Sequence, residues 1–420
     1  MDLTNLYNNQ ILYFMKKLLL LTFISCYSLS VFSQSETNDL IYRRSSLYTL
    51  MVSDENEGHA EVIQNSFINY PLPEKFNSHI VKGRIIPKTI DNTLSKKEVN
   101  SLQKQAITDF LNTNDIAKSM IAKWFNRSEK GGFNMELISE RGYYNASDLD
   151  VKIANQTERG NAMIADAGEE LINNTFVVIN NFKYTNKEEV AKKTNSILAA
   201  VSSAAAEAGN KDVSLIANTT SEGVDVLGKG YVIKTDSYLY KLVWNEEIAS
   251  IFYNDLWNED ADLDPERVKA FDETDIFSLE YIGMESAWAD LQSTKYTKQT
   301  DEELIATATI KASDAVIAKL QRTYEVFRTK TPLLSGDPIA AKIGLKEGVE
   351  KGDKYGVLEQ IINKEGKTEY KQIGIIRAEK DLIWDNRFMA TEETETELEY
   401  TTFKGSKNKY YPGMLIKQIN

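Results

Sequence analysis

The residues able to do chemistry are few. His59 and His79 are the only histidines in the chain. A metal pair, a general base or a Ser-His-Asp triad would have to draw on one of them. No G-x-S-x-G occurs, so the strand-to-helix elbow that presents a serine nucleophile is not encoded. Asp260, Asp262 and Asp264 have the one-three-five spacing of a calcium loop. Pro265 stands where such a loop turns on glycine, and Phe271 where it needs a bidentate glutamate. Asp264-Pro265 is therefore expected to cap a short helix instead. Carboxylates are abundant, but no spacing singles out a pair for glycoside hydrolysis. Lys229 sits in Gly-Lys-Gly with no phosphate-loop pattern before it. Tyr238, Tyr240 and Trp244 share one face of an expected strand. They could stack a ligand, or they could be core, the usual role of half-buried sheet aromatics. Nothing in the chain implies a cofactor.

The elements that must position these groups come from 420 residues, enough for two or three domains. With 42% hydrophobic and 26% charged residues, a packed core is expected. Lys and Arg total 49 against 62 Asp and Glu, a net charge of −13. A general basic surface for nucleic acid is excluded. One cysteine rules out a disulfide framework and a Cys-rich zinc site.

From Met15 the chain resembles an export signal. Lys16 and Lys17 form a positive start, and 18–32 is an apolar stretch with a few hydroxyl residues. Val31 and Ser33 suit the small positions before a cleavage site, so Gln34 is expected to open the mature chain, with Met15 as the true start. The alternatives are a membrane anchor, for which the run is short, and a lipoprotein signal at Cys26, to which Phe23 and Ile24 are poorly matched. No later segment approaches the length of a transmembrane helix.

Three regions follow the signal. The first, 34–141, reads as helical and mixed: a strand over 44–52, a loop at Pro71 and Pro73, then two helices. The first of these helices has a Ser95/Glu98 capping box and the stripe Val99, Leu102, Ala106, Phe110. The second is expected to be capped by Asn114, with Ala117, Met120, Ile121, Trp124 and Phe125 inward, and Gly131-Gly132 ends the pair.

The second region, 142–330, reads as an α/β domain with a helix-covered sheet. A strand at 133–139 is expected to lead into it, and its own expected strands are 176–184, 231–244, 276–282 and 289–296. Ser147 is expected to cap a long helix, and an Ala/Ser-rich insert occupies 186–228. Asn245 starts a helix bearing Ile248, Ile251, Phe252 and Leu256. Thr300 with Glu303 opens a helix of about seven turns with the stripe Leu304, Ala308, Ala312, Ala315, Leu320.

The third region, 331–420, reads as a small β-barrel or sandwich set off by a linker at Pro332, Gly336 and Pro338. Strands 353–363 and 368–379 form a hairpin, with short strands at 382–384, 398–403 and 414–419. The acidic run 391–399 is expected to be a solvated loop or strand edge. The fold class expected overall is α+β.

The run 344–360, with Gly344, Gly348, Gly352 and Asp353 as its turn residues, resembles the C-terminal domain of flagellar assembly protein T and related exported proteins. That resemblance implies a small β-barrel with tight glycine turns before its best strand. The segments ERGYYNAS, SYLYKLVWN, DPIAAKIGLKEG and IWDNR also resemble a long family of exported proteins from Gram-negative envelopes. The implied role is non-enzymatic, with other envelope proteins as partners, and it brings no catalytic residue. Ligand or polymer binding, and carboxylate-dependent hydrolysis, stand as the second and third readings.

Overall fold

The computed structural model describes residues 42–54, 58–88, 96–143, 168, 170–186, 230–292, 300–362, 368–388, 398–406 and 408–419. The export segment, the Ser147 helix start, the Ala/Ser-rich insert and nearly all of the acidic run lie outside them.

Strand β1 (Ser45–Ser53) is buried at every position, which requires cover on both faces. Its register pairs it in parallel with β2 (Phe76–Ser78), β3 (Ile85–Pro87) and β4 (Thr175–Asn186). From β4 the sheet continues antiparallel through β5 (Gly230–Leu242) to β6 (Leu279–Gln292), in the order β2-β1-β4-β5-β6. One face packs Tyr48, Leu50, Val177, Ile179, Tyr238 and Tyr240 against helices α2 (Lys96–Thr113), α3 (Ile116–Trp124) and α5 (Glu246–Ile251). The other packs Leu47, Met51, Phe176, Phe182 and Leu239 against α1 (Ala60–Asn69) and α7 (Asp301–Thr323). Each strand thus sends alternate side chains into two cores, and the helices close both.

Several local expectations hold. Asn245 accepts from the Ile248 N–H, Asp264 caps α6 (Pro265–Glu273), and Thr300 with Glu303 makes the full capping box of α7. Others are corrected. Residues 133–139 form no strand; Glu136–Tyr143 is a helix, α4. The described parts of the two pieces expected at 276–282 and 289–296 belong to one strand, β6, which starts at Leu279 and has its irregularity opposite Leu239/Tyr240. In α2 the buried row is Gln103, Ile107 and Leu111, while Leu102 is exposed. In α7 Ala315 faces solvent and Val316 the core. Asn114 does not cap α3: its amide donates to the Phe110 carbonyl and serves the end of α2.

The last ninety residues close six strands into a barrel, in the order β10-β11-β8-β7-β12-β9. These are β7 (Thr331–Gly336), β8 (Ile339–Ala341), β9 (Lys354–Ile362), β10 (Thr368–Ala378), β11 (Thr401–Lys404) and β12 (Leu415–Gln418). Val357, Ile376, Phe403 and Ile416 lie in its core. The expected linker at Pro332 and Gly336 is instead strand β7, and residues 382–384 form no strand. The barrel is docked on α7. Arg322 donates to the Asp353 carboxylate at 2.6 Å and to the Gly348 carbonyl at 2.6 Å, and Arg328 reaches the Gln418 carbonyl. The chain is α+β, with a helix-covered sheet and a small closed β unit.

Candidate functional site

His79 is fully buried between α3 and β1. Its Nε2 lies 3.0 Å from the Met120 carbonyl, which can only accept, so Nε2 carries the proton. Nδ1 is then the acceptor for the Arg141 guanidinium at 3.2 Å. Arg141 also donates to Ser46 and to the Ser78 carbonyl, and the imidazole stacks on Trp124 at 4.9 Å. Burial, with Arg141 and Lys123 adding to it against the Met120 hydrogen bond, pulls the imidazole down to about 3. A neutral ring with both nitrogens engaged is a structural joint with no free lone pair for metal or proton transfer. His59 takes no part in this joint; it precedes α1 with φ of 63° and packs on the Tyr184 ring.

The other sequence candidates resolve in the same direction. Tyr238, Tyr240 and Trp244 are buried in the core against the helices, so they offer no ligand face. The physical reason is that α2, α3 and α5 cover the sheet face they share. Asp264 spends its carboxylate on the α6 cap, and Asp260 accepts from Ser128. No group of metal-ligating side chains occurs among the described residues. Ser33 and Gln34 lie outside the described residues.

The glycine run is a structural turn. A Cβ on Gly344 would fall 2.2 Å from the Trp384 carbonyl oxygen, while Gly348 and Gly352 have φ of 75° and 82°. Asp353 then accepts from Arg322, the Glu350 N–H and Gln418, which joins the turn to both α7 and β12. Space at Gly352 is open, so only its backbone conformation resists a side chain. Gly352→Val is expected to destabilise the protein by about 1–3 kcal/mol, and Lys351→Ala by little. Urea midpoints of the two variants make the comparison, and equal midpoints would contradict it.

Sequence reading missed Asp314. It sits in the middle of α7, buried, where the Tyr70 hydroxyl donates to Oδ1 and Lys346 approaches to 3.7 Å. Burial pushes it up to about 6, opposed by Lys346 and reinforced by Glu347. A raised folded pKa means that the native state holds the proton longer than the unfolded chain. The stabilisation is complete below pH 3.8 and is lost as pH rises through about 6. Asp314→Asn, which keeps an acceptor for Tyr70, is expected to be more stable than wild type at pH 7 by about 2 kcal/mol. That advantage should vanish near pH 4. A constant difference across that range, from thermal melts, would refute it. The signal available in the sequence was an acidic residue inside an apolar helical row.

Two surface features remain. A cleft of about 400 Å³ between α3 and α4 is lined by Ala122, Lys123, Arg127, Glu136, Leu137 and Glu140. Lys123 donates to the Ile80 carbonyl and Arg127 pairs with Asp272, so its cations are committed to the fold. The second is the outer edge of β6, which pairs only with β5 among the described strands. Trp288 there is 66% exposed. On the same face of the sheet, where Lys234 is the cross-strand neighbour of Trp288, Asp236 takes Lys234 at 2.6 Å and Lys183 at 3.8 Å, and Ser286 also donates to it; these bonds hold its carboxyl below the usual range despite burial.

No protein-family model and no curated protein matches this chain. No helix among the described residues is long and apolar enough to cross a membrane.

Proposed function

We propose that this is an exported, non-enzymatic protein of the cell envelope that binds other proteins. The observation that carries the reading is the edge of β6, which no second strand among the described residues pairs, with Trp288 exposed on it. A tryptophan is the side chain most often found as an interface anchor, and a free strand edge offers unmet backbone hydrogen bonds to another chain. Export is supported by Lys16 and Lys17, the apolar run behind them, and Ser33 before Gln34. The turn Gly344, Gly348, Gly352 and Asp353 supports the likeness to the flagellar assembly type of C-terminal domain. The locked state of His79 and the buried aromatics weigh against catalysis and against a stacked ligand.

Cross-linking mass spectrometry on native envelopes tests it. The expected result is reproducible cross-links from this chain to one or a few envelope proteins. A chain that cross-links to none, or one that turns over a glycan in purified form, would overturn the reading.

A further inference from the structure

The barrel and the sheet unit share no apolar core among the described residues. The cores on the two faces of the sheet draw on residues up to Phe327, and the barrel core on residues from Leu333 onward. The chain crosses between them once, at 328–330. Charged side chains hold the junction. Arg322 takes Asp353 and the Gly348 carbonyl and reaches Glu350 at 3.1 Å. Lys75, just before β2, donates to the Lys342 carbonyl at 2.7 Å, and Lys417 lies 3.4 Å from Glu325. Polar interfaces of this kind are the ordinary setting for motion between units. This one also leaves buried groups unmet. Arg44 is buried just before β1, near Tyr370 of β10, and its Nε and Nη1 have no hydrogen-bond partner. Asp314 on α7 has none at Oδ2. Such groups cost free energy while the junction is closed, and hydration on opening returns it.

Asp314 is the buried carboxyl of this junction. It meets Tyr70 from the end of α1, and Lys346, Glu347 and the Phe388 N–H from the barrel. Lys311, on its own helix, faces Asp385, and Lys75 faces Glu347. At 3.7 Å Lys346 is too far for a direct hydrogen bond, so the carboxylate is buried without a close cation. We propose that the barrel swings off α7 about the 328–330 crossing, and that Asp314 is a proton-sensitive latch, closed when its carboxyl is neutral and readier to open when it is ionised. The sign follows from burial. Closing the junction takes the carboxyl out of water, which favours the protonated form and lifts it from the ordinary 3.8 to about 6. The closed state therefore binds the proton more tightly. Acid closes the latch, and a rise through pH 6 loosens it. Between pH 5 and pH 7.5 one such group changes the open-to-closed ratio by at most about tenfold. Arg322 supplies the part of the closure that does not depend on Asp314.

The test is a distance between the two units in the full chain. Cys26→Ser removes the only native cysteine. Spin labels then go on Gln105→Cys in α2 and Lys404→Cys in β11, both exposed, and are read by pulsed electron paramagnetic resonance at pH 5 and pH 7.5. A second distance is expected, whose share relative to the first rises about threefold to tenfold from pH 5 to pH 7.5. Asp314→Asn is expected to keep the pH 5 distribution at both values. Arg322→Gln is expected to enlarge the second share at both values and to retain the pH effect, which makes the latch readable where the wild-type share is small. A label pair within the barrel, Lys371→Cys with Lys404→Cys, is expected to stay fixed. One unchanging distribution in wild type and in Arg322→Gln would overturn the proposal. So would a pH effect that survives in Asp314→Asn, a second share that grows towards pH 5, or movement within the barrel pair, which would mean unfolding instead of opening.

Discussion

His79→Gln is expected to change the acid stability of the protein more than any other single substitution at a titrating side chain. In the native state the imidazole is held neutral, down to about 3, by burial and by the cations Arg141 and Lys123; in the unfolded chain it titrates near 6.5. A depressed folded pKa in a base means that the unfolded chain binds the proton first. The stability due to the neutral ring is therefore complete above 6.5 and is lost as pH falls towards 3. At about 1.4 kcal/mol per unit, wild type loses roughly 3 kcal/mol between pH 6.5 and pH 4 from this group. The glutamine variant pays a fixed packing cost against Trp124 at every pH, but it carries no such loss. Urea unfolding at pH 7 and pH 4 reads the effect as a difference of differences, in which the titration of the carboxylates cancels. An unchanged difference between the two proteins would show that His79 is solvated or charged in the fold. Asp314 works in the opposite sense, gaining stability as pH falls, so the two variants should bend the pH profile in opposite directions.

Gly336→Ala is expected to be the most destabilising of the glycine substitutions. Gly336 ends β7, and a Cβ there would lie 1.8 Å from the Tyr410 carbonyl oxygen and 2.6 Å from its carbon. The obstacle is backbone, which cannot rotate away as a side chain can. Relief requires the 410–413 turn to move off β7, yet the Gly413 N–H donates to the Leu333 carbonyl and the Leu333 N–H to the Met414 carbonyl. Overpacking against a fixed neighbour of this kind costs about 3 kcal/mol or more. The same substitution at Gly413, where nothing lies within 4 Å, meets only the penalty of a positive φ. Thermal melts of the two variants should therefore differ clearly, with Gly336→Ala the lower. A smaller loss at Gly336 than at Gly413 would mean that the turn and β7 are not packed together.

Much of the local architecture was legible in the chain. Strand-like runs located β1, β4 and β5, and capping residues located the starts of α5, α6 and α7, because each signal is read from side chains a few positions apart. The inward face of α3 was legible for the same reason. The failures share a cause. The phase of α2 was misjudged because Leu102 and Ile107 are both apolar, and only the position of the sheet decides which row is buried. Residues 133–139 read as a strand by composition, but their backbone folds as a loop and the start of a helix against α3.

By itself the sequence determined the α+β class, the glycine turn ahead of β9, the hairpin of β9 with β10, and the scarcity of residues fit for catalysis. These depend on local propensity, on backbone freedom and on composition. Only the tertiary structure decided that Tyr238, Tyr240 and Trp244 are core, that His79 is a neutral joint, that Asp314 is buried beside Lys346, and that Trp288 is exposed on the last described strand of its sheet. Burial and pairing are properties of what arrives from elsewhere in the chain: the helices that cover one stretch of β5, and Lys319 of α7 with Tyr324 just beyond it, which reach the Ser286 and Met284 backbone of β6.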